Sequence, residues 1–328
     1  MWFKELVGFE EENADQVRQN IQIDGNQMKS LVTGRIMRHG RLETPSLAEL
    51  RDRVSGIQPK GSISVEELVG DTRQIHLDGE NASAFMHVAS QFNLLEMPSS
   101  QVTPDDGIDD YEHDLTQGPA CAIACGAGTL FRNYFAEVNG GLGQTAERQI
   151  DCLSDLGTEL GNRDNQMWEM RNGYCFATEN GLRELADILS NSTRHEQAKE
   201  LLRIGVQTDT EVTLQNARHV VTQAYCSAVP VAYSSHSAEL WKPFARFVLE
   251  ASYEATILAA ILNADRTGQN KAFLTLIGGG VFGNPQEWII DALRQALDKY
   301  RGYGLEVMIV SYRQSSPDVR SLVDAFTD

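Results

Sequence analysis

The stretch Leu274 to Glu287, LTLIGGGVFGNPQE, brings four glycines together behind an apolar run, a composition suited to holding an anion. An apolar run, Phe273 to Ile277, stops at three glycines, and Trp288, Ile289, Leu293, Ala296 and Leu297 then recur at helical intervals. Strand, glycine turn and helix in that order form an anion cradle. Glycine lets the backbone approach a ligand, and the first N–H groups of a helix have no intrahelical acceptor. A diphosphate suits the cradle, with Gly278, Gly279, Gly280, Val281, Gly283 and Asn284 around it and the ring of Phe282 against a sugar or base. A P-loop is excluded, because Asn284 and Pro285 follow Gly283 where Lys and Ser/Thr would be needed. Gly278, Gly280 and Gly283 satisfy G-x-G-x-x-G, yet the next strand, Leu305 to Val310, ends in Ser311 and Tyr312 without the acid of a dinucleotide-binding unit. A glycine turn that only packs a helix on a sheet is the alternative.

A second candidate is the acidic loop inside Gln91 to Tyr134, where Asp105, Asp106, Asp109, Asp110, Glu112 and Asp114 crowd together with few cations nearby. Crowded carboxylates raise one another's pKa and suit a metal or acid and base work; a solvated acidic loop is the plainer reading for most of the six. Asp114 stands apart. It lies four residues before Gly118, at the mouth of a helix rich in Ala and Gly, and is expected to point into a site. Asp114 and Asp106 are the candidate catalytic acids, and no metal ligand set is assigned. Cys121 and Cys125 share a helical face, where small apolar packing is the commoner role and a redox pair the rarer one. His219, in an apolar run, reads as a packed core histidine.

The elements that must position these residues alternate from residue 61 to 312, which predicts one α/β domain. Residues 1–60 read as a helical N-terminal extension, with two short helices between Glu12 and Gly40 and a third capped by Thr44 with Pro45 first. Strands are predicted over Ser62–Val69, Thr72–Leu77, Phe85–Ser90, Gly173–Ala177, Val212–Leu214 and His219–Cys226. Helices are predicted over Gly118–Val138, Gln144–Leu160, Glu179–Leu189, Arg194–Ile204 and Ala238–Asn263, the last a scaffold under the sheet.

With 328 residues and 41% hydrophobic content, the chain can bury a large core. A net charge of −18 repels nucleic acid, no apolar run approaches the roughly 20 residues of a membrane span, and the start MWFKELVGFEEE lacks a signal-peptide layout. Five cysteines without zinc spacing suit a reducing compartment. The expectation is a soluble cytoplasmic protein, with export as an effector left open.

Strand, GGGVFGN and helix resemble the diphosphate loop of macrodomains and of the related poly(ADP-ribose) glycohydrolases. Val88 to Asn93, VASQFN, resembles the macrodomain strand ending in an asparagine at the distal ribose, and Val69-Gly70-Asp71-Thr72 resembles the motif whose aspartate meets adenine. QFNLLEM, the acidic loop, TQGPACAIACGAGT and GGGVFGN together are similar to the macrodomain subfamily typified by a Legionella effector that removes ADP-ribose from arginine of ubiquitin. The resemblance covers about residues 61 to 312 and implies a macrodomain-like mixed sheet flanked by helices, the catalytic domain being 61–328. It also implies ADP-ribose as ligand, Asp71, Gln91 and Asn93 as contacts, and an ADP-ribosylated protein as substrate. The glycohydrolase signature of three glycines followed by Q-E-E is absent, which argues against cleavage of polymer ends.

The function implied is hydrolysis of the N-glycosidic bond between mono-ADP-ribose and a protein side chain, with arginine the linkage indicated and no cofactor required. A non-catalytic ADP-ribose reader would share the binding residues and lack the acids. An NAD(P)-dependent oxidoreductase is the third alternative, and the missing acid after Val310 weighs against it.

Overall fold

The computed structural model describes residues 1–326 and shows the expected α/β architecture, a mixed sheet flanked by helices. Its main sheet has seven strands: β1 (Arg41–Glu43), β2 (Ser64–Val69), β3 (Phe85–Ala89), β4 (Gly205–Glu211), β5 (Val220–Cys226), β6 (Lys271–Thr275) and β7 (Glu306–Ser311). Their order across the sheet is β1-β4-β5-β3-β6-β7-β2. From β5 to β2 all pairings are parallel, and β4 turns the edge antiparallel to both β5 and β1. The central strands are buried almost continuously instead of alternating, because helices cover both faces of a parallel sheet.

The helix Ala238–Thr267 fills one of those faces. Ser237 caps it by accepting from the Leu240 N–H, and it packs against Leu47–Ser55, Glu179–Leu189 and Gln286–Lys299. It is long and apolar enough to cross a membrane by composition, but its apolar surface is taken up inside the fold, where Phe244, Phe247, Val248, Leu258 and their neighbours are fully buried.

Several elements differ from the sequence reading. The segment before residue 60 is not purely helical: after Trp2–Val7 and Ala14–Asn20, the strands Ile21–Asp24, Gln27–Ser30 and Ile36–Arg38 form a small antiparallel sheet. Gly25, at φ +56, sits with Asn26 in a two-residue hairpin turn and does not separate helices. β1 then joins the main sheet, so residue 60 does not divide that sheet from what precedes it. The third helix is capped by Ser46, not Thr44, in a reciprocal box with Glu49. Thr72–Leu77 is a helix capped by Asp71, not a strand. Gly118–Val138 breaks at Cys125, whose φ and ψ of −112° and 55° are not helical. Only Ser154–Leu160 of the predicted Gln144–Leu160 helix forms, and β4 replaces the strand expected at Val212–Leu214.

Candidate active site at the carboxyl ends of the strands

In an open parallel sheet the loops leaving the carboxyl ends of the strands enclose the natural crevice. Here Ala89 of β3, Cys226 of β5, Thr275 of β6 and Ser311 of β7 form the floor of one cavity of about 700 Å³. That lies within the roughly 300–1,000 Å³ typical of small-molecule sites. Among the described residues its lining contains no Lys, Arg or His, so an anion held there would be held by backbone.

One wall is the glycine loop. Gly278 to Phe282 line the cavity, and among the described residues the N–H groups of Gly279, Gly280 and Val281 have no acceptor. The helix Gln286–Lys299 starts directly behind them and adds the positive end of its dipole. The glycines divide the work. A Cβ on Gly278 would lie 2.5 Å from the Ala228 Cβ, and one on Gly283 would lie 2.6 Å from the Ala232 Cβ, both at positive φ. A Cβ on Gly280 meets nothing within 4 Å, so a side chain there would enter open space beside the cavity. Asn284 is buried off the wall, where its Nδ2 donates to the carbonyls of Gly278 and Val229, each at 2.9 Å, and clamps the loop. Phe282 does face the cavity. It packs against Tyr174 at 5.5 Å and Tyr233 at 5.7 Å between centroids, and the three rings make an apolar corner.

The opposite wall is built from the turn after β3 and the start of the helix Gln117–Ala124. Asp114 reaches it, half-buried, with Oδ1 accepting from the Thr116 N–H at 2.8 Å. Asp106 does not reach it. That carboxylate is exposed and caps its own turn by accepting from the N–H and Oγ1 of Thr103 at 2.8 and 2.9 Å, so its expected part in catalysis loses its geometric basis. The other acids are similarly engaged: Asp105 accepts from the Ala146 N–H, and Glu112 from the Trp2 N–H. Asp109 is half-buried beneath the N-terminal helix, and burial pushes its carboxyl above the ordinary value.

Gln91 lines the cavity, but its amide is committed to the turn, accepting from the Met97 N–H at 2.8 Å and donating to the Met97 carbonyl. Asn93 is fully buried behind the wall, bonded to Gln149 and the Leu95 N–H, and is not positioned for the ribose. Asp71 is exposed at a helix N-cap, with its carboxylate on the Arg73 N–H, and is off the cavity wall. The cysteines are inert packing: burial pushes the Cys121 thiol up to about 12, and Cys125 is pushed up as well.

Sequence reasoning missed Glu96. It is 2% exposed, it lines the cavity, and among the described residues neither carboxyl oxygen has a hydrogen-bond partner. Burial pushes its pKa up to about 8, against the pull of the Arg132 guanidinium 3.7 Å away and with the help of Asp114. The signal was an acid inside the apolar run Leu94 to Met97.

No protein-family model matches the chain, and no curated protein matches it. Among solved structures it is similar to poly(ADP-ribose) glycohydrolase from Deinococcus radiodurans in complex with ADP-ribose, at 13% identity and a TM-score of 0.45, over 87% of this chain and 92% of that one. It is also similar to the enzyme from Thermomonospora curvata, at 12% identity and a TM-score of 0.38, over 95% of each chain. Matches at this level leave the activity to be argued from the cavity itself.

Proposed function

We propose that the chain is an ADP-ribosylhydrolase that removes mono-ADP-ribose from protein side chains by hydrolysing the N-glycosidic bond to arginine. The observation that carries this reading is one cavity with unpartnered backbone N–H groups on one wall and Asp114 on the other. The glycine loop suits a diphosphate, and the ring of Phe282 suits the ribose beside it. Cleavage builds positive charge at the anomeric carbon, which a carboxylate stabilises. Water adds to that carbon and gives its proton to Asp114, while the C–N bond breaks with its electron pair passing to nitrogen. The released guanidine takes that proton from Asp114, which returns to its carboxylate, and leaves as guanidinium. A cationic leaving group fits a lining with carboxylates and no cation.

The five cysteines are unpaired and buried, which suits work in a reducing compartment such as the cytoplasm. The reading is tested by titrating the protein with ADP-ribose and NAD, and by following ADP-ribose release from peptides modified on arginine, serine or glutamate. Binding of ADP-ribose with release from the arginine peptide is the expected result. Binding without release from any peptide would leave a non-catalytic reader, and tighter binding of NAD would favour an oxidoreductase.

A further inference from the structure

Glu96 presents a physical problem that the hydrolytic reading does not use. Burying a carboxyl without hydrogen bonds is costly, and native proteins rarely leave one that way without a purpose. Its neighbour Arg132 does not satisfy it. The Arg132 guanidinium pairs with it only through charge, Nη2 lying 3.7 Å from Glu96 Oε2, while its hydrogen bonds run elsewhere: Nε to the Leu94 carbonyl at 2.9 Å, Nη1 to Gln207 Oε1 at 2.9 Å and to the Tyr225 hydroxyl, and Nη2 to Thr129 Oγ1 at 3.2 Å. Glu96 is itself held rigidly. The Tyr111 hydroxyl accepts from its N–H at 3.0 Å, and a Cβ on Gly118 would lie 3.2 Å from its Cγ, so the helix start is fitted against it.

A second orphan faces the same cavity: Gln117 Oε1 is buried without a partner, one helical position before Gly118. With Asp114 these atoms form a recess of acceptors. Among the described residues no cationic side chain lines the cavity to answer them. Such a recess matches a planar group that carries several N–H donors and a positive charge, since carboxylates and guanidinium pair through parallel hydrogen bonds. A hydroxyl offers too few donors, and a carboxylate would be repelled.

We propose that Glu96 and Gln117 are specificity-determining residues that receive the guanidinium of the arginine to which ADP-ribose is attached. The proposal rests on the hydrolytic reading above and names the residues that would select the linkage. Burial makes the Glu96 carboxyl hold its proton more tightly than usual, and a guanidinium beside it would favour the ionised form. A lysine-type ammonium, which is a compact charge without the planar fork, is a poorer match.

The test is calorimetric. Agmatine, the decarboxylated arginine, and cadaverine, its lysine counterpart, are titrated into the full chain saturated with ADP-ribose, for wild type, Glu96→Gln and Gln117→Leu. Wild type is expected to bind agmatine at least roughly tenfold more tightly than cadaverine. Glu96→Gln should lower agmatine affinity about tenfold or more and Gln117→Leu by roughly threefold, with ADP-ribose affinity changed less than about threefold in each. Retained ADP-ribose binding certifies that both variants are folded. No agmatine binding to the wild-type complex, no preference over cadaverine, or equal agmatine affinity in wild type and both variants would overturn the proposal. If ADP-ribose itself does not bind wild type, the hydrolytic reading falls and this one with it. If ADP-ribose binds and arginine-linked peptides are cleaved while agmatine does not distinguish the variants, the recess alone is wrong.

Discussion

The two walls of the cavity are made in opposite ways. The glycine loop is built from its own neighbourhood: Asn284 clamps Gly278 from six residues away, and the helix that follows supplies the dipole. The acidic wall is held from a distance. Glu11 accepts from the N–H groups of Ile108 and Asp109 at 2.8 and 2.7 Å and from the Tyr134 hydroxyl at 2.5 Å. The Trp2 indole donates to the Asp109 carbonyl at 3.1 Å, and Tyr111 reaches back to Glu96. A wall that must only offer backbone donors can be local. One that must place a particular carboxylate is fixed by segments up to about a hundred residues away in sequence, so the N-terminal segment is part of the site's construction.

Substitutions can break this contrast, the largest effects being expected in the glycine loop. Gly280→Leu should abolish ADP-ribose binding by calorimetry while thermal unfolding remains cooperative, because its side chain enters open space on the ligand side. Gly283→Val should instead destabilise the protein by about 2–4 kcal/mol in denaturant titration, since the contact with Ala232 adds overpacking to the strain of a β-branched residue at positive φ. If both variants bind normally, the loop is not the diphosphate site.

On the other wall, Glu11→Gln replaces one acceptor oxygen by a donor and should cost about 1–2 kcal/mol of stability. It should also slow release from an arginine-modified peptide by roughly tenfold through displacement of Asp114, and leave ADP-ribose affinity nearly unchanged. Glu96 supplies a pH signature. Its folded pKa is raised, so the folded state keeps a proton that the unfolded state loses, and its contribution to stability falls as pH rises from the ordinary value through about 8. Scanning calorimetry should therefore show the stability of Glu96→Gln relative to wild type growing between pH 5 and pH 8. Asp106→Ala is expected to do least, shifting stability by about 1 kcal/mol or less through its lost cap and leaving turnover unchanged.

The same contrast explains what was legible in the sequence. The glycine loop, its strand and its helix were readable because each signal lies within a few residues of the next. Asp114 was readable from its place before a small-residue helix. Asp106 was not distinguishable, because whether a loop acid faces a cavity or caps its own turn depends on contacts with Thr103 and on how the loop is pinned from Glu11. Glu96 was hidden because its environment is made by Arg132, Tyr111 and Gly118, none of them adjacent in sequence. The N-terminal strands are hidden because Gly25 reads equally as a break between two short helices, whereas with Asn26 it makes the two-residue turn that pairs Asp24 with Gln27.

Asp114→Asn separates binding on one wall from chemistry on the other. Single-turnover release of ADP-ribose from an arginine-modified peptide is measured beside calorimetry with free ADP-ribose on the same preparation. The single-turnover rate should fall about a hundredfold or more, with ADP-ribose affinity changed less than about threefold. Equal losses of affinity and rate would make Asp114 a ligand contact, and an unchanged rate would remove it from the chemistry; either result overturns the division between the walls.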